Sequence, residues 1–281
     1  MKRFSVRRNT AVLAIACSAL AGCGSLDTQN ATISVPGGFP GLLAGYLAPA
    51  ALPNSLALTP PVPAPGSSAL ALDEEISRRS FALRDTPRWT LAFSDADLNF
   101  PHAAGTFSCV LNAPVTESDT PRLYRLLRRT LTDLGGSTYA AKTHYNRARP
   151  FMWNKQPLCT PQDQEWLAKD GSYPSGHTAA GWGWALILAE ILPAQTDAIL
   201  MRGRSFGESR NVCNAHWHSD VVQARNVAAG VVARLHADPA FRTDLEAAKG
   251  ELDAVRSKGL KPIRDCTLES AALALQPSLE Q

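Results

Sequence analysis

Between Thr120 and His236 apolar residues recur three and four positions apart, and almost nowhere in the chain do they alternate with polar ones. That spacing belongs to helices burying one face, whereas half-buried strands alternate. A helix is predicted over 67–83. A second opens at Thr120-Pro121, carries Leu123, Leu126, Leu127 and Leu131 as a stripe, and is broken by Gly135-Gly136. Proline suits such a start because the first helical N–H has no partner within the helix. Further helices are expected over 138–148, then from after Pro174 through Trp184, Leu186 and Ile187 to just before Pro193. Three more cover 196–208, 216–236 and 239–258, the last of them charged and exposed. No internal repeat is visible. The pattern predicts an all-α protein, a single-domain helical bundle.

The chain's beginning reads differently. Lys2, Arg3, Arg7 and Arg8 precede a short apolar run over 11–20, closed by Leu20-Ala21-Gly22-Cys23. About ten apolar residues are too few to span a bilayer, so residues 1–22 read as a cleaved export signal. Small residues ahead of a cysteine have the form of a bacterial lipobox, which makes Cys23 a lipidated N-terminus and the sole membrane connection. The expected location is the bacterial cell envelope, on the outer membrane, facing the periplasm with the cell exterior left open; Gly24 does not resemble an inner-membrane retention residue. Residues 23–66, with Thr59-Pro60-Pro61-Val62-Pro63-Ala64-Pro65-Gly66, are too rich in Pro, Gly and Ala to form a core. They read as an extended tether whose second half rests against the domain. Residues 67–270 read as one globular domain and 271–281 as a tail.

Removing the signal changes the charge. The whole chain carries 28 basic and 25 acidic residues, but the signal holds four basic ones and no acidic one, leaving 24 against 25. A basic footprint for nucleic acid is therefore missing. Any anionic ligand must be met by a local cluster of cations. Of the six cysteines, Cys17 leaves with the signal and Cys23 takes the lipid. Cys109, Cys159, Cys213 and Cys266 remain, an even number in an oxidising compartment. They predict two disulfides, with three pairings open.

Three blocks carry candidate chemistry: Lys142 with Arg149-Pro150, Pro174-Ser175-Gly176-His177, and Ser209-Arg210 with His216 and Asp220. Together they hold three cations, two histidines and a carboxylate within 79 residues. Lys142 and Arg149 are seven apart, so on one helix they share a face, and Pro150 places Arg149 at a helix end. Arg210 adds a planar fork suited to phosphate. Ser175 and Gly176 open a helix, where unpaired N–H groups and the dipole favour an anion. Gly181 and Gly183 let that helix pack closely on a neighbour. His216 and Asp220, at i and i+4, would share a helical face, so that the carboxylate fixes the imidazole tautomer of a nucleophile. His177 remains as general acid and then base. Arg147, off the cationic stripe, reads as a salt-bridge residue, and His102, His144 and His236 as ordinary histidines.

These blocks, with the flanks Gly171-Ser172-Tyr173 and Cys213-Asn214-Ala215-His216-Trp217-His218-Ser219-Asp220-Val221, resemble the type-2 phosphatidic-acid-phosphatase superfamily. That superfamily includes vanadium haloperoxidases, and the chain is most similar to its bacterial class A non-specific acid phosphatases, over about 52–252. The resemblance implies hydrolysis of small phosphate monoesters with broad specificity through a phosphohistidine on His216. It places His177 and Asp220 beside it and a phosphate on Lys142, Arg149, Ser175, Gly176 and Arg210. It also implies an acidic optimum, no metal and no other cofactor, and leaves room for a homo-oligomer, which relatives commonly form. A haloperoxidase or a lipid-phosphate phosphatase would use the same site, and a phosphate-binding lipoprotein would need only the cations. His216-x-His218-x-Asp220 also has part of a dizinc motif, but Val221 stands where a further histidine belongs and the strands of that fold are lacking. Trp153, Trp166 and Trp217 are candidates for stacking on an aromatic leaving group, with 151–170 as one wall of the cleft.

Overall fold

The computed structural model describes residues 42–275; the export signal, Cys23, the first part of the tether and the last six residues lie outside them. The described residues form an all-α structure with no sheet strand among them. The helices are α1 (Ser55–Leu58), α2 (Ser68–Ser80), α3 (Pro87–Asp95), α4 (Ser108–Leu111), α5 (Pro121–Gly136), α6 (Tyr139–Tyr145) and α7 (Pro150–Asn154). After them come α8 (Gln164–Leu167), α9 (Gly176–Ile191), α10 (Thr196–Val212), α11 (His218–Leu235), α12 (Pro239–Ser257) and α13 (Cys266–Leu273).

Helix α9 is the axis of the bundle. It is apolar around its whole circumference, which marks a helix surrounded by others, and it packs against α10, α11 and α5. Trp184 is fully buried on it. A Cβ at Gly181 would collide with the Phe206 ring of α10, and one at Gly183 with Leu134 of α5. Both glycines thus set helix spacing, as their sequence position suggested. Ser175 caps this helix, its hydroxyl accepting from Thr178 N at 3.2 Å, a standard way to satisfy an orphan first-turn N–H.

Three boundaries and one whole helix differ from the periodicity. Helix α6 stops at Tyr145 because Asn146 turns left-handed at φ 38°, a conformation asparagine tolerates. Helix α10 runs on to Val212, and α11 begins at His218, two residues later than expected. Helix α3 is absent from the sequence reading. Its buried face is half polar, Arg88 and Asp95 beside Leu91 and Ala92, so no apolar stripe shows. Those polar groups meet partners on α10: Arg88 donates to Ser209 Oγ at 2.9 Å, Ser209 donates to Asp95 at 2.6 Å, and Arg202 donates to the same carboxylate at 2.6 Å.

The cysteines pair as Cys109–Cys266 and Cys159–Cys213. The first ties α13 to α4 across a separation of 157 residues. Closing so long a loop removes much freedom from the unfolded chain, worth about 2–4 kcal/mol. Replacing Cys109 and Cys266 by serine is therefore expected to lower the melting temperature by several degrees; an unchanged thermal transition would refute the stabilising role.

Candidate active site

Helices α6 and α10, the starts of α9 and α11, and the loops ahead of α7 and α11 carry the expected residues. The loop between α10 and α11 turns back at Asn214, whose φ is 62°. Ala215 N and His216 N both donate to the Arg210 carbonyl, and Asn211 Nδ2 donates to the His216 carbonyl at 2.9 Å. The Cys159–Cys213 bridge holds the loop from outside. His216 is thereby fixed beside the end of α10, ahead of α11. Helical i, i+4 spacing is not what joins His216 to Asp220. Asp220 sits in the first turn of α11, where its Oδ2 accepts from Trp217 N at 2.9 Å, and His216 Nδ1 lies 3.4 Å from the same oxygen. That separation is a close polar approach longer than an ordinary hydrogen bond.

The nitrogen identities follow from the partners. Arg149 Nη1 lies 2.9 Å from His216 Nε2. A guanidinium only donates, so Nε2 accepts and Nδ1 carries the hydrogen. His177 Nε2 lies 2.9 Å from the Ala96 carbonyl, so there Nε2 carries the hydrogen and Nδ1 is the acceptor. Both rings are held well below the usual histidine pKa. Burial is the main cause for each; Arg210 adds to it at His177, and Arg149, Lys142 and Arg210 add to it at His216.

Lys142 and Arg149 also reach the site differently from the expectation. The Asn146 turn separates them, Lys142 on α6 and Arg149 as the extended residue capping α7. They meet at Asp170, whose Oδ2 accepts from Lys142 Nζ at 3.0 Å and from Arg149 Nη2 at 2.8 Å. Burial and the neighbouring Arg149 draw the Lys142 pKa down to about 8. Arg210, 1% exposed, is brought down to about 9 by burial and by Arg149. Its Nε and Nη1 have no hydrogen-bond partner among the described residues. Gly176, His177, His216, Lys142 and Arg149 line one cavity of about 660 Å³. Ser175 stands behind Gly176; its Oγ already accepts from Thr178 N and Oγ1, so its own hydrogen is its remaining donor.

Two participants escaped the sequence reading. Asp170 lay in a segment with no readable code. Asp73 of α2 accepts from Arg147 Nη2 at 2.7 Å and from Ser219 N at 2.7 Å, while Arg147 Nη1 donates to Asp220 Oδ1 at 2.7 Å. Arg147 is thus the salt-bridge residue expected, but one of its partners is the candidate catalytic carboxylate. Of the tryptophans, Trp166 lines the cavity. Trp217 is packed, its Nε1 donating to the Ala148 carbonyl, with Trp153 edge-on to it. His102 is bound to Ser94, His236 pairs with Glu190 at 3.1 Å, and His144 packs on Tyr145. Among the described residues no three His, Cys, Asp or Glu side chains are grouped to hold a metal, so His216, His218 and Asp220 do not form a dizinc cluster. A larger cavity of about 910 Å³ between α3 and α13 contains none of the candidate residues.

Comparison with known proteins gives a consistent picture. The family model of the PAP2 superfamily matches residues 128–243. A non-specific acid phosphatase of Providencia stuartii is 45% identical over 199 residues, 70% of this chain and 80% of that protein. An acid phosphatase of Zymomonas mobilis subsp. mobilis is 42% identical over 207 residues, 74% of this chain and 78% of the relative. A non-specific acid phosphatase of Salmonella typhimurium is 41% identical over 202 residues, 71% of this chain and 80% of its own length.

Proposed function

The chain belongs to the PAP2 superfamily, and on that premise we propose that this acid phosphatase cleaves phosphate monoesters through a phosphohistidine on His216. The observation that carries the reading is Arg210, a buried guanidinium among other positive groups with two N–H positions unpartnered among the described residues. Buried charged donors are costly unless an anion meets them. A phosphoryl group, with three equatorial oxygens to share, answers that need.

On binding, Lys142 and Arg149 exchange the Asp170 carboxylate for phosphoryl oxygens, and Arg210 gains its partner. The Ser175 hydroxyl and the first N–H groups of α9 add donors at the positive end of the helix dipole. Arg149 releases His216 Nε2, whose lone pair then attacks phosphorus. As the N–P bond forms, the P–O bond breaks with its electron pair on the leaving oxygen, which takes a proton from His177 Nδ1. Asp220 faces the positive charge left on the imidazole. Water next attacks phosphorus, His177 accepts its proton, and the N–P bond breaks to restore Nε2. No step calls for a metal.

His177 must be protonated to act, and its pKa in the empty site is held well below 6.5. As pH rises through that pKa the acid is lost, so kcat/KM falls from the acid range onward. The bound dianion offsets Arg210 and Arg149, raising the His177 pKa, so the alkaline limb of kcat lies at higher pH than that of kcat/KM. Burial and three neighbouring cations hold the His216 pKa low, which favours the unprotonated Nε2 that the attack needs. Both profiles should be measured with an aryl phosphate from pH 4 to 8, corrected for the ester's own ionisation near pH 6, before and after chelation. A kcat/KM limb above pH 7 removes His177 as the acid. Activity lost on chelation and restored by zinc removes the mechanism.

The same reading takes Cys23 as the lipid anchor holding the enzyme on the outer membrane, facing the periplasm. Cys23→Ser should release the protein from the membrane fraction, and retention of that variant there would exclude the anchor.

A further inference from the structure

The cavity that holds the catalytic histidines is mostly apolar, and much of its wall comes from outside the family match at 128–243. Residues 42–52 run along it as a strap, with Leu42, Leu47 and Leu52 on the cavity and Leu98, Leu131 and Trp166 among the residues lining it with them. The strap is built in, not draped. Thr132 donates to the Leu43 carbonyl at 2.7 Å, and Arg129 donates to the Ala44 and Gly45 carbonyls at 3.2 and 3.0 Å. Tyr46 N and Leu47 N donate to the two oxygens of Asp133 at 2.9 and 3.0 Å. The Tyr46 ring lies under the Arg129 guanidinium, 3.6 Å from ring centre to carbon, and its hydroxyl donates to Asp244 at 2.7 Å. Gly45 is required at its position, since a Cβ there would enter the Asp133 carboxylate.

Nothing in phosphate chemistry needs this surface. Lys142, Arg149, His177 and His216 stand on the same cavity as Leu47 and Leu52, so an ester whose phosphoryl group sits on the cations has its alcohol within reach of the leucines. We propose that the strap 42–52 is a specificity wall that selects phosphate monoesters of apolar alcohols, with an alkyl chain lying along Leu47 and Leu52. A small polar alcohol such as glycerol leaves that wall wet, whereas an alkyl chain displaces the water and gains by burial. The proposal rests on the phosphatase reading for the seat of the phosphoryl group.

The test separates the two. Ethylphosphonate and octylphosphonate, whose C–P bonds are not hydrolysed, are titrated into the full chain by calorimetry below micelle-forming concentrations. Octylphosphonate is expected to bind at least about tenfold tighter, a modest return for six further methylenes; equal affinities overturn the wall. In parallel, kcat/KM is compared for octyl phosphate and glycerol phosphate in the wild type and in Leu47→Ser/Leu52→Ser. The variant's octyl-to-glycerol ratio is expected to collapse to within about threefold, and an unchanged ratio in a folded variant counts against the strap. If the variant does not fold, the wild-type phosphonate pair still decides. Tight octylphosphonate binding with no hydrolysis of either ester leaves the wall standing and removes the phosphatase reading. Hydrolysis with equal phosphonate affinities does the reverse.

Discussion

His216→Ala is expected to lower kcat/KM for aryl phosphates by at least about 10⁴-fold, because it removes the atom that accepts the phosphoryl group. Nε2 is the only imidazole nitrogen of that residue with its lone pair directed at a site donor, Arg149, at 2.9 Å. The three cations left behind can bind the substrate and polarise it, but they offer no route to a covalent intermediate. His177→Ala makes the contrast. A phenolate leaves without a proton, so aryl esters should lose about 10²-fold or less, whereas alkyl esters, whose alkoxides need the acid, should lose about 10³–10⁴-fold. The discriminating measurement is quenching the wild type and both variants in acid-free denaturant with labelled aryl phosphate. Label should remain on wild-type and His177→Ala protein, accumulating in the latter because water activation is slowed, and should be missing from His216→Ala. Label on another residue, or a His216→Ala enzyme with a tenth of normal activity, would require a different nucleophile. A haloperoxidase reading would instead make His216 a vanadate ligand, so bromination with added vanadate, tested on the same wild-type sample, provides an independent check.

How much of this was legible beforehand depends on whether a feature was local. Helix α9 could be read because an apolar run follows Ser175-Gly176, and its two glycines mark close neighbours, which proved to be Phe206 and Leu134. The all-α class followed from periodicity alone. The three site blocks were legible as chemistry, yet the geometry argued for them was wrong in detail. His216 stands on a loop, so its closeness to Asp220 comes from the cap of α11 and the Arg210 carbonyl, not from one turn of helix. Lys142 and Arg149 converge through the Asn146 turn and not along a shared face. Periodicity measures which side of an element is buried and says nothing of where a turn re-aims the next residue. The strap was hidden for another reason. Its order comes from Asp133 and Arg129, some 85 residues away in sequence, and in isolation 42–52 has only the composition of a tether.

Arg147→Ala should produce the second large effect, and it acts without touching the phosphoryl group. Arg147 bridges two almost fully buried carboxylates, Asp73 and Asp220, at 2.7 Å each, and also donates to Ser219 Oγ at 2.8 Å. Its ring-facing side covers Trp217, 5.3 Å from carbon to ring centre. Truncation leaves two buried negative groups facing a void, and breaking a buried pair on one side costs about 3–5 kcal/mol. For a domain of this size that corresponds to a fall of roughly 10 °C in melting temperature. Catalysis should suffer separately. Asp220 without Arg147 can turn toward water, so the carboxylate facing His216 Nδ1 is no longer fixed and the imidazolium of the phosphoenzyme loses its partner. A drop of about 10²-fold in kcat is expected, with KM nearly unchanged, because Lys142, Arg149 and Arg210 are untouched. Arg147→Lys keeps one charge but cannot span Asp73, Ser219 and Asp220 together, so it should recover part of the stability and little of the rate. Asp73→Asn weakens the far end of the bridge and should move kcat in the same direction by less. A variant that melts early yet turns over normally at low temperature would make Arg147 a structural brace alone. A kcat loss that persists in fully folded protein makes it the residue that holds the nucleophile's carboxylate in place.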